Sequence, residues 1–398
     1  MQPNNPSLFV EINESSYIFM VVIQDENQNF KMIEKIITQN AGIEKNKFVN
    51  INEASEVINK NVEQIEKKIN YIFKSVTITL DIFDYSCINI SGFKKLNGSQ
   101  VLKENISYIL NLLKRSVAEN EKQKTILHIF NSKSILDGVN IENLPIGLFG
   151  DFYSHELTFF LIKNNELKNM KQIFNKSNLI VKKIILKSFS EGVHLINKDN
   201  IETFFKIKIN KKNSNISFFD QASFKYTENF NFGTNIIFRD VEKICSIKNN
   251  IIVDFLSENV FINKKINDNE YLEEKYFNKN NFRKIRKKLI LDIVNARVEE
   301  ICNIIMNKNV NIQNFKKNKV TIYLTIQDKI IKDNFNKNFK SLLSKRVFSD
   351  IKLIDDFELN SLAINTAKLS TFGWKKEAIP IIQPKKSIIT RIFDGIFG

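Results

Sequence analysis

The run TILHIFNSKSILDGVNIENLPIGLFGDFYSHELTFFLIKNNELKNMKQIFNKSNLIVKKIILKSFSEGVHLINKD, residues Thr125 to Asp199, sets the architecture. A strand from Lys124 to Phe130 enters it, and Asp137-Gly138 marks a turn. The loop LPIGLFG, Leu144 to Gly150, carries Pro145, the one proline between Pro6 and Pro380, so rigidity is placed there in a chain that otherwise avoids it. A strand over His155 to Lys163 follows, then a helix from Glu166 to Asn175. A strand over Leu179 to Leu186 and a short helix from Ser188 to Ile196 close the run.

The same alternation continues outward. Towards the N-terminus, LFVEI and YIFMVVI read as two strands around the polar break NESS, and Asn27 to Thr38 extends the meander. A helix starts at Asn52, its expected cap, with Ala54, Val57, Ile58, Val62, Ile65, Ile69 and Ile72 on one face. A strand from Val76 to Ile82, a hairpin ending at Ser91-Gly92 and a helix capped by Ser99 lead into the run. Beyond it come the strands ETFFKIKIN, NISFFD and SFKYTENF, ending at Gly233. A helix from Thr234, helical segments over Glu270 to Asn278 and Phe282 to Met306, a strand at Val320 to Thr325, a helix at Ile330 to Leu343, a strand at Ile351 to Ile354 and a helix at Leu359 to Phe372 complete the globular part. Strand meander, helix, strand, helix, twice over, predicts an α/β protein of two similar halves, each a mixed sheet flanked by helices.

At 398 residues the chain fills two or more cores. Its net charge of +15 would suit an anionic partner, yet the lysines are spread along the chain without a nucleic-acid motif, so nucleic acid is not expected. The three cysteines, Cys87, Cys245 and Cys302, are far apart in sequence and fit a reducing compartment. The N-terminus lacks a charged segment followed by an apolar run, and no stretch has eighteen consecutive apolar residues. Membrane contact is therefore expected through the last fourteen residues alone, KKSIITRIFDGIFG. On a helix, Ile388, Ile389, Ile392, Phe393, Ile396 and Phe397 make one apolar stripe, with Arg391 opposite and Lys385 and Lys386 just before it. Pro380 and Pro384 stop a helix from running in, so the tail hangs on an extended tether. Such a face docks on its own domain or lies in a lipid interface; the basic flanks favour an anionic membrane surface.

The long run resembles the bacterial cell-division protein family FtsA, keeping His128, Asp137, Gly138, Pro145, Gly147, Gly150 and Asn169 of its pattern. Further blocks are colinear: Gly42-Ile43, Phe232-Gly233 with Asp240, and Asn295 to Glu300, which is similar to the family's "ARxEE" helix. The resemblance covers residues 8 to 398. It implies an actin-like two-lobed fold with an inserted subdomain and an amphipathic ending. The expected division is 1–75, 163–196 and 360–375 for the first subdomain, 76–162 for the insert, 197–233 and 308–359 for the third, and 234–307 for the fourth. A linker at 376–384 and a membrane helix at 385–398 follow. The resemblance further implies self-association into filaments, a grip on the C-terminal peptide of tubulin-like FtsZ, other division partners, and a place on the cytoplasmic face of the inner membrane.

The family's cofactor is ATP, held between the lobes by glycine-rich hairpins with nearby aspartates. Here the first hairpin reads Glu11-Ile12-Asn13-Glu14-Ser15-Ser16, without its glycine and with an added acid. The second reads Lys208-Ile209-Asn210-Lys211-Lys212-Asn213-Ser214-Asn215, without its three glycines and two aspartates. The adenosine loop reads Leu324-Thr325-Ile326-Gln327-Asp328. Gly233 survives at the next helix start. The expectation is a pseudo-ATPase with no catalytic or metal-binding residues and no tight ATP binding. Two other readings stay open at this stage, an active ATP-binding filament protein and a pilus-assembly adaptor of the PilM type. For the FtsZ peptide, the segment NFRKIRKKL offers Arg283, Arg286 and Lys287, with Arg297 further along the same helix. His128, His155 and His194 show no spacing that favours catalysis or metal binding.

Overall fold

A computed structural model describes residues 5–13, 15–44, 47–81, 85–258, 267–277, 282–313, 320–344 and 350–378. The chain divides into two compact units, the first Met1–Lys187, Ser223–Lys225 and Thr366–Gly398, the second Ser188–Ala222 and Tyr226–Asn365.

The first unit opens with β1 (Ser7–Ile12), β2 (Ser16–Gln24) and β3 (Phe30–Gln39). The two-residue strands β4 (Ile43–Glu44) and β5 (Lys47–Phe48) pair with each other and lead into α1 (Ile51–Ile69) and β6 (Ser75–Leu80). The insert then follows as β7 (Tyr85–Lys95), α2 (Lys103–Asn120), β8 (Lys124–Leu136), β9 (Val139–Ile141) and β10 (Phe152–Lys163). The chain returns through α3 (Asn164–Asn175) and β11 (Ile180–Leu186), and α4 (Lys187–Asp199) carries it on into the second unit. The main sheet has the order β11-β6-β1-β2-β3, with β1 antiparallel to β2 and parallel to β6. β1 and β2 are buried on both faces, which is why LFVEI and YIFMVVI are almost continuously apolar, whereas the edge strand β3 alternates.

The second unit repeats that plan. β12 (Phe204–Ile209), β13 (Ser214–Asp220) and β14 (Ser223–Phe230) precede α5 (Asn235–Cys245), α6 (Asn249–Glu258), α7 (Lys287–Met306) and α8 (Val310–Gln313). Then come β15 (Thr321–Ile326), α9 (Lys332–Ser344), β16 (Asp350–Leu353) and α10 (Leu359–Phe372), which from Thr366 onward belongs to the first unit. The sheet order, β14-β13-β12-β15-β16, has the same pattern of crossovers, again with one antiparallel and one parallel neighbour for the central strand. The predicted pair of similar halves is what the chain forms.

Several local expectations change. Ser75–Leu80 lies in the main sheet, so the insert begins at Tyr85, later than residue 76. β7 runs unbroken through Ser91-Gly92, and Gly92 is there because a Cβ would come within 2.7 Å of Ile109 on α2. α1 is capped by Asn50, whose side chain accepts from the Asn52 and Glu53 N–H groups; Asn52 is already in the helix, and Ile72 is exposed. Ser99 donates to the Leu96 carbonyl instead of capping α2. Of the expected helical segment 270–278, the described residues 270–277 hold a 3-10 turn at Glu274–Tyr276. The basic helix starts at Lys287, so Arg283 and Lys284 precede it and Arg286 is its N-cap.

The insert folds as the antiparallel sheet β7-β10-β8-β9 with α2 packed against it. His155 sits on β10, fully buried, its two ring nitrogens without hydrogen-bond partners. Burial disfavours the imidazolium and pushes its pKa down from 6.5 to about 4. The unfolded chain therefore binds the extra proton, so this histidine stabilises the fold above about pH 6.5 and the benefit drains away as the pH falls towards 4. The loss amounts to about 3 kcal/mol. Urea midpoints measured from pH 7 to pH 4 are expected to fall less steeply in His155→Phe than in the parent; equal slopes would exclude the assignment.

Candidate functional site

In each unit the ends of the parallel strands meet a hairpin from the central strand, the place where open α/β sheets carry their sites. In the first unit that hairpin joins β1 to β2. Asn13 closes it: its Oδ1 accepts from the Ser15 N–H at 3.0 Å and the Ser16 N–H at 2.8 Å, and from both serine hydroxyls. The Ser15 and Ser16 backbone donors are thus held by the turn's own side chain. Glu14 lies outside the described residues.

Behind the hairpin is a buried ion cluster. Glu11 points from β1 with no exposure, and its Oε1 accepts from Lys187 Nζ at 2.6 Å. Lys187 also reaches Asp81 Oδ2 at 3.1 Å. Lys187 follows β11 and Asp81 follows β6, so three neighbouring strand ends deliver one cation and two anions. Glu11 Oε2 and the hydroxyl of its register partner Thr79 have no hydrogen-bond partner. Neither Lys187 nor Asp81 was expected from the sequence. The signal lay in Glu11 itself, because a carboxylate inside LFVEI demands a cation once buried.

The second unit builds the equivalent turn between β12 and β13. The Asn210 N–H donates to the Asn213 carbonyl at 2.9 Å, and Asn210 Nδ2 donates to Asn213 Oδ1 at 2.7 Å. The Lys211 N–H donates to Gln327 Oε1 at 3.1 Å. Gln327 follows β15, and its own N–H donates to the Ile209 carbonyl, as the Asp81 N–H donates to Ile12 in the first unit. Gly233 brings the start of α5 onto this hairpin: the Thr234 and Asn235 N–H groups donate to the Asn210 and Lys211 carbonyls, and Lys212 lies at the tip.

A metal-bound polyphosphate needs free backbone donors and acidic oxygens. The Ser15, Ser16, Asn210 and Lys211 donors are already bonded, and Glu11 and Asp81 already hold an ammonium. Among the described residues no cluster of histidine, cysteine or acidic side chains is arranged to hold a metal ion.

The second unit also carries a groove of about 820 Å³, lined by Ile244, Asp268, Tyr271, Lys284, Ile285, Arg286, Lys288, Leu289 and Asp292. Lys284 Nζ lies 4.6 Å from the centre of the Tyr271 ring, and Lys288 bonds Asp268 at 2.5 Å, holding that carboxyl below its usual range. Of the four residues expected at a peptide site, Arg286 alone lines the groove. Arg283 donates to the Ser246 carbonyl, Lys287 bonds Glu273 at 3.1 Å, and Arg297 is held by Asp240 at 2.5 Å and by Glu300. Lys284 and Lys288 belong to the basic segment NFRKIRKKL singled out in the sequence; Tyr271 was missed, since the bridge between Tyr271 and Arg286 is what brings it beside Lys284.

The membrane-binding residues Lys385, Lys386, Ile388, Ile389, Arg391, Ile392, Phe393, Ile396 and Phe397 lie outside the described residues. Among the described residues no helix is long and apolar enough to cross a membrane.

The chain aligns with a solved chain of the PilM-PilN type IV pilus biogenesis complex at a TM-score of 0.53, covering 94% of this chain and 98% of that one at 10% identity. The fold is actin-like. At that identity the likeness concerns the actin-like fold alone. MreB 5 of Spiroplasma citri aligns over 98% of this chain at a TM-score of 0.46 and 9% identity. In sequence, the chain is 21% identical over 310 residues to the cell division protein FtsA of Buchnera aphidicola subsp. Schizaphis graminum, covering 76% of this chain and 73% of the relative. The FtsA resemblance read from the motifs is thereby found independently. No family model matches the chain.

Proposed function

We propose that this actin-like chain is a cell-division adaptor that tethers FtsZ filaments to the cytoplasmic face of the inner membrane, assembles with copies of itself, and turns over no ATP. The observation that supports it best is the similarity to FtsA along most of the chain, joined to strand-end hairpins that bond their own donors. Its work is binding. One amphipathic helix is a weak anchor, and many copies on a filament convert weak single contacts into firm attachment. The groove beside α7 is where the FtsZ peptide binds: Tyr271, Ile285 and Leu289 take apolar side chains, while Lys284, Arg286 and Lys288 face acidic ones.

The test is sedimentation of the full chain with liposomes containing anionic phosphatidylglycerol. The expected result is pelleting without nucleotide, unchanged by ATP, and reduced to background when residues 385–398 are removed. Pelleting that survives the deletion would remove the tail from the reading, and pelleting that requires ATP would restore the nucleotide.

A further inference from the structure

After α10 the chain does not simply leave the unit. Gly373 ends the helix with φ +72°, its N–H donating to the Leu369 carbonyl, as a helix-terminating glycine does. The next residues turn back, the Glu377 N–H donating to the Trp374 carbonyl. They then lie antiparallel along β8, with Phe130 opposite Glu377. The Asn131 N–H donates to the Lys376 carbonyl and the Ala378 N–H to the Ile129 carbonyl, both at 2.8 Å. β10 holds the other edge of these β8 residues, and β9 pairs further along at Ser134–Leu136.

Side chains lock the contact. Glu377 Oε1 is 2.8 Å from His128 Nδ1, and its Oε2 is 3.9 Å from Lys183 Nζ. Lys376 Nζ donates to the Glu142 carbonyl at 2.8 Å, and Ala378 is buried in the core of the insert.

We propose that the β8 edge at Ile129–Asn131 is a strand-docking site for the chain's own tether, locked by Glu377 on His128, so that the C-terminal tail departs from the inserted sheet and not from the end of α10. Releasing the lock frees Gly373–Ala378, about 20 Å of extended chain at ~3.3 Å per residue. The docked and released forms therefore hold the tail at two reaches from the body. The consequence for membrane attachment rests on the tether reading above; the docking does not.

Limited trypsin digestion of the full chain in the absence of lipid tests it. Wild-type protein is expected to be cut first after Lys385 and Lys386, with Lys375 and Lys376 protected. Glu377→Ala is expected to raise cutting after Lys375 and Lys376 on the order of tenfold. A second variant, Glu377→Ala with Asn131→Cys and Lys376→Cys, is expected to form a disulfide and keep Lys375 protected when oxidised, with protection lost on reduction. Wild-type cutting after Lys376 as fast as after Lys386, or no change in Glu377→Ala, would overturn the docking. Protection that persists while liposome pelleting fails would instead overturn the tether reading and leave the docking standing.

Discussion

Lys187→Met is expected to destabilise the protein by about 3–5 kcal/mol, because it strands a carboxylate that has no route to water. Glu11 is fully buried, and Lys187, 2.6 Å away, is the cation that compensates it. Asp81 shares the ammonium but is partly exposed and can be solvated after the loss; Glu11 cannot. The burden of the substitution therefore falls on one residue. That makes a second-site rescue the sharper measurement. The double variant Glu11→Met with Lys187→Met replaces the pair by apolar side chains and is expected to recover most of the lost stability, since a matched buried pair is worth little over a packed apolar one. Urea unfolding followed by circular dichroism reads both numbers. A loss below about 1 kcal/mol in the single variant, the range of surface pairs, would mean that the ammonium is not the counter-ion of Glu11.

Gly233→Val is expected to cost about 3 kcal/mol or more, through steric conflict with main chain. An ideal Cβ on Gly233 would lie 2.2 Å from the Asn210 carbonyl oxygen and 2.7 Å from the Lys211 carbonyl carbon. Neither atom is the end of a flexible side chain, so the hairpin itself must move. Two hydrogen bonds from Thr234 and Asn235 would loosen with it. Gly138→Ala is the control: it has φ +82° but nothing within 4 Å, so only the backbone preference of about 1 kcal/mol is lost. If the two variants unfold at the same urea concentration, the close approach at Gly233 is not what holds the hairpin.

Most of the fold was legible because both main sheets announce themselves by burial. β1, β2, β12 and β15 are covered on two faces, and their apolar runs are correspondingly continuous. Periodicity also placed α1, α3 and α5 within a few residues. It failed where side chains decide. Asn50 and Asn52 are equally good caps on paper, and it is the Asn50 side chain that accepts from the Asn52 and Glu53 N–H groups. Phe282 to Arg286 look helical in composition, yet Arg286 pairs with Tyr271 and the helix begins one residue later. The site was half visible. Missing glycines could be counted in the hairpins, but the groups that fill their role could not. Asn13 reads as an ordinary turn residue, Gln327 as a substitution in a loop, and Lys187 as one lysine among many. Their partners are assigned by strand order, which brings residues 11, 81 and 187 together across long stretches of sequence.

The repeated sheet order puts a hairpin at the equivalent strand ends of each half. Each half ties its hairpin with different parts: an asparagine and a lysine in one, a glutamine and an asparagine pair in the other. The two turns therefore answer differently to substitution: a change at Gln327 removes one neutral hydrogen bond, whereas a change at Lys187 strands a buried charge.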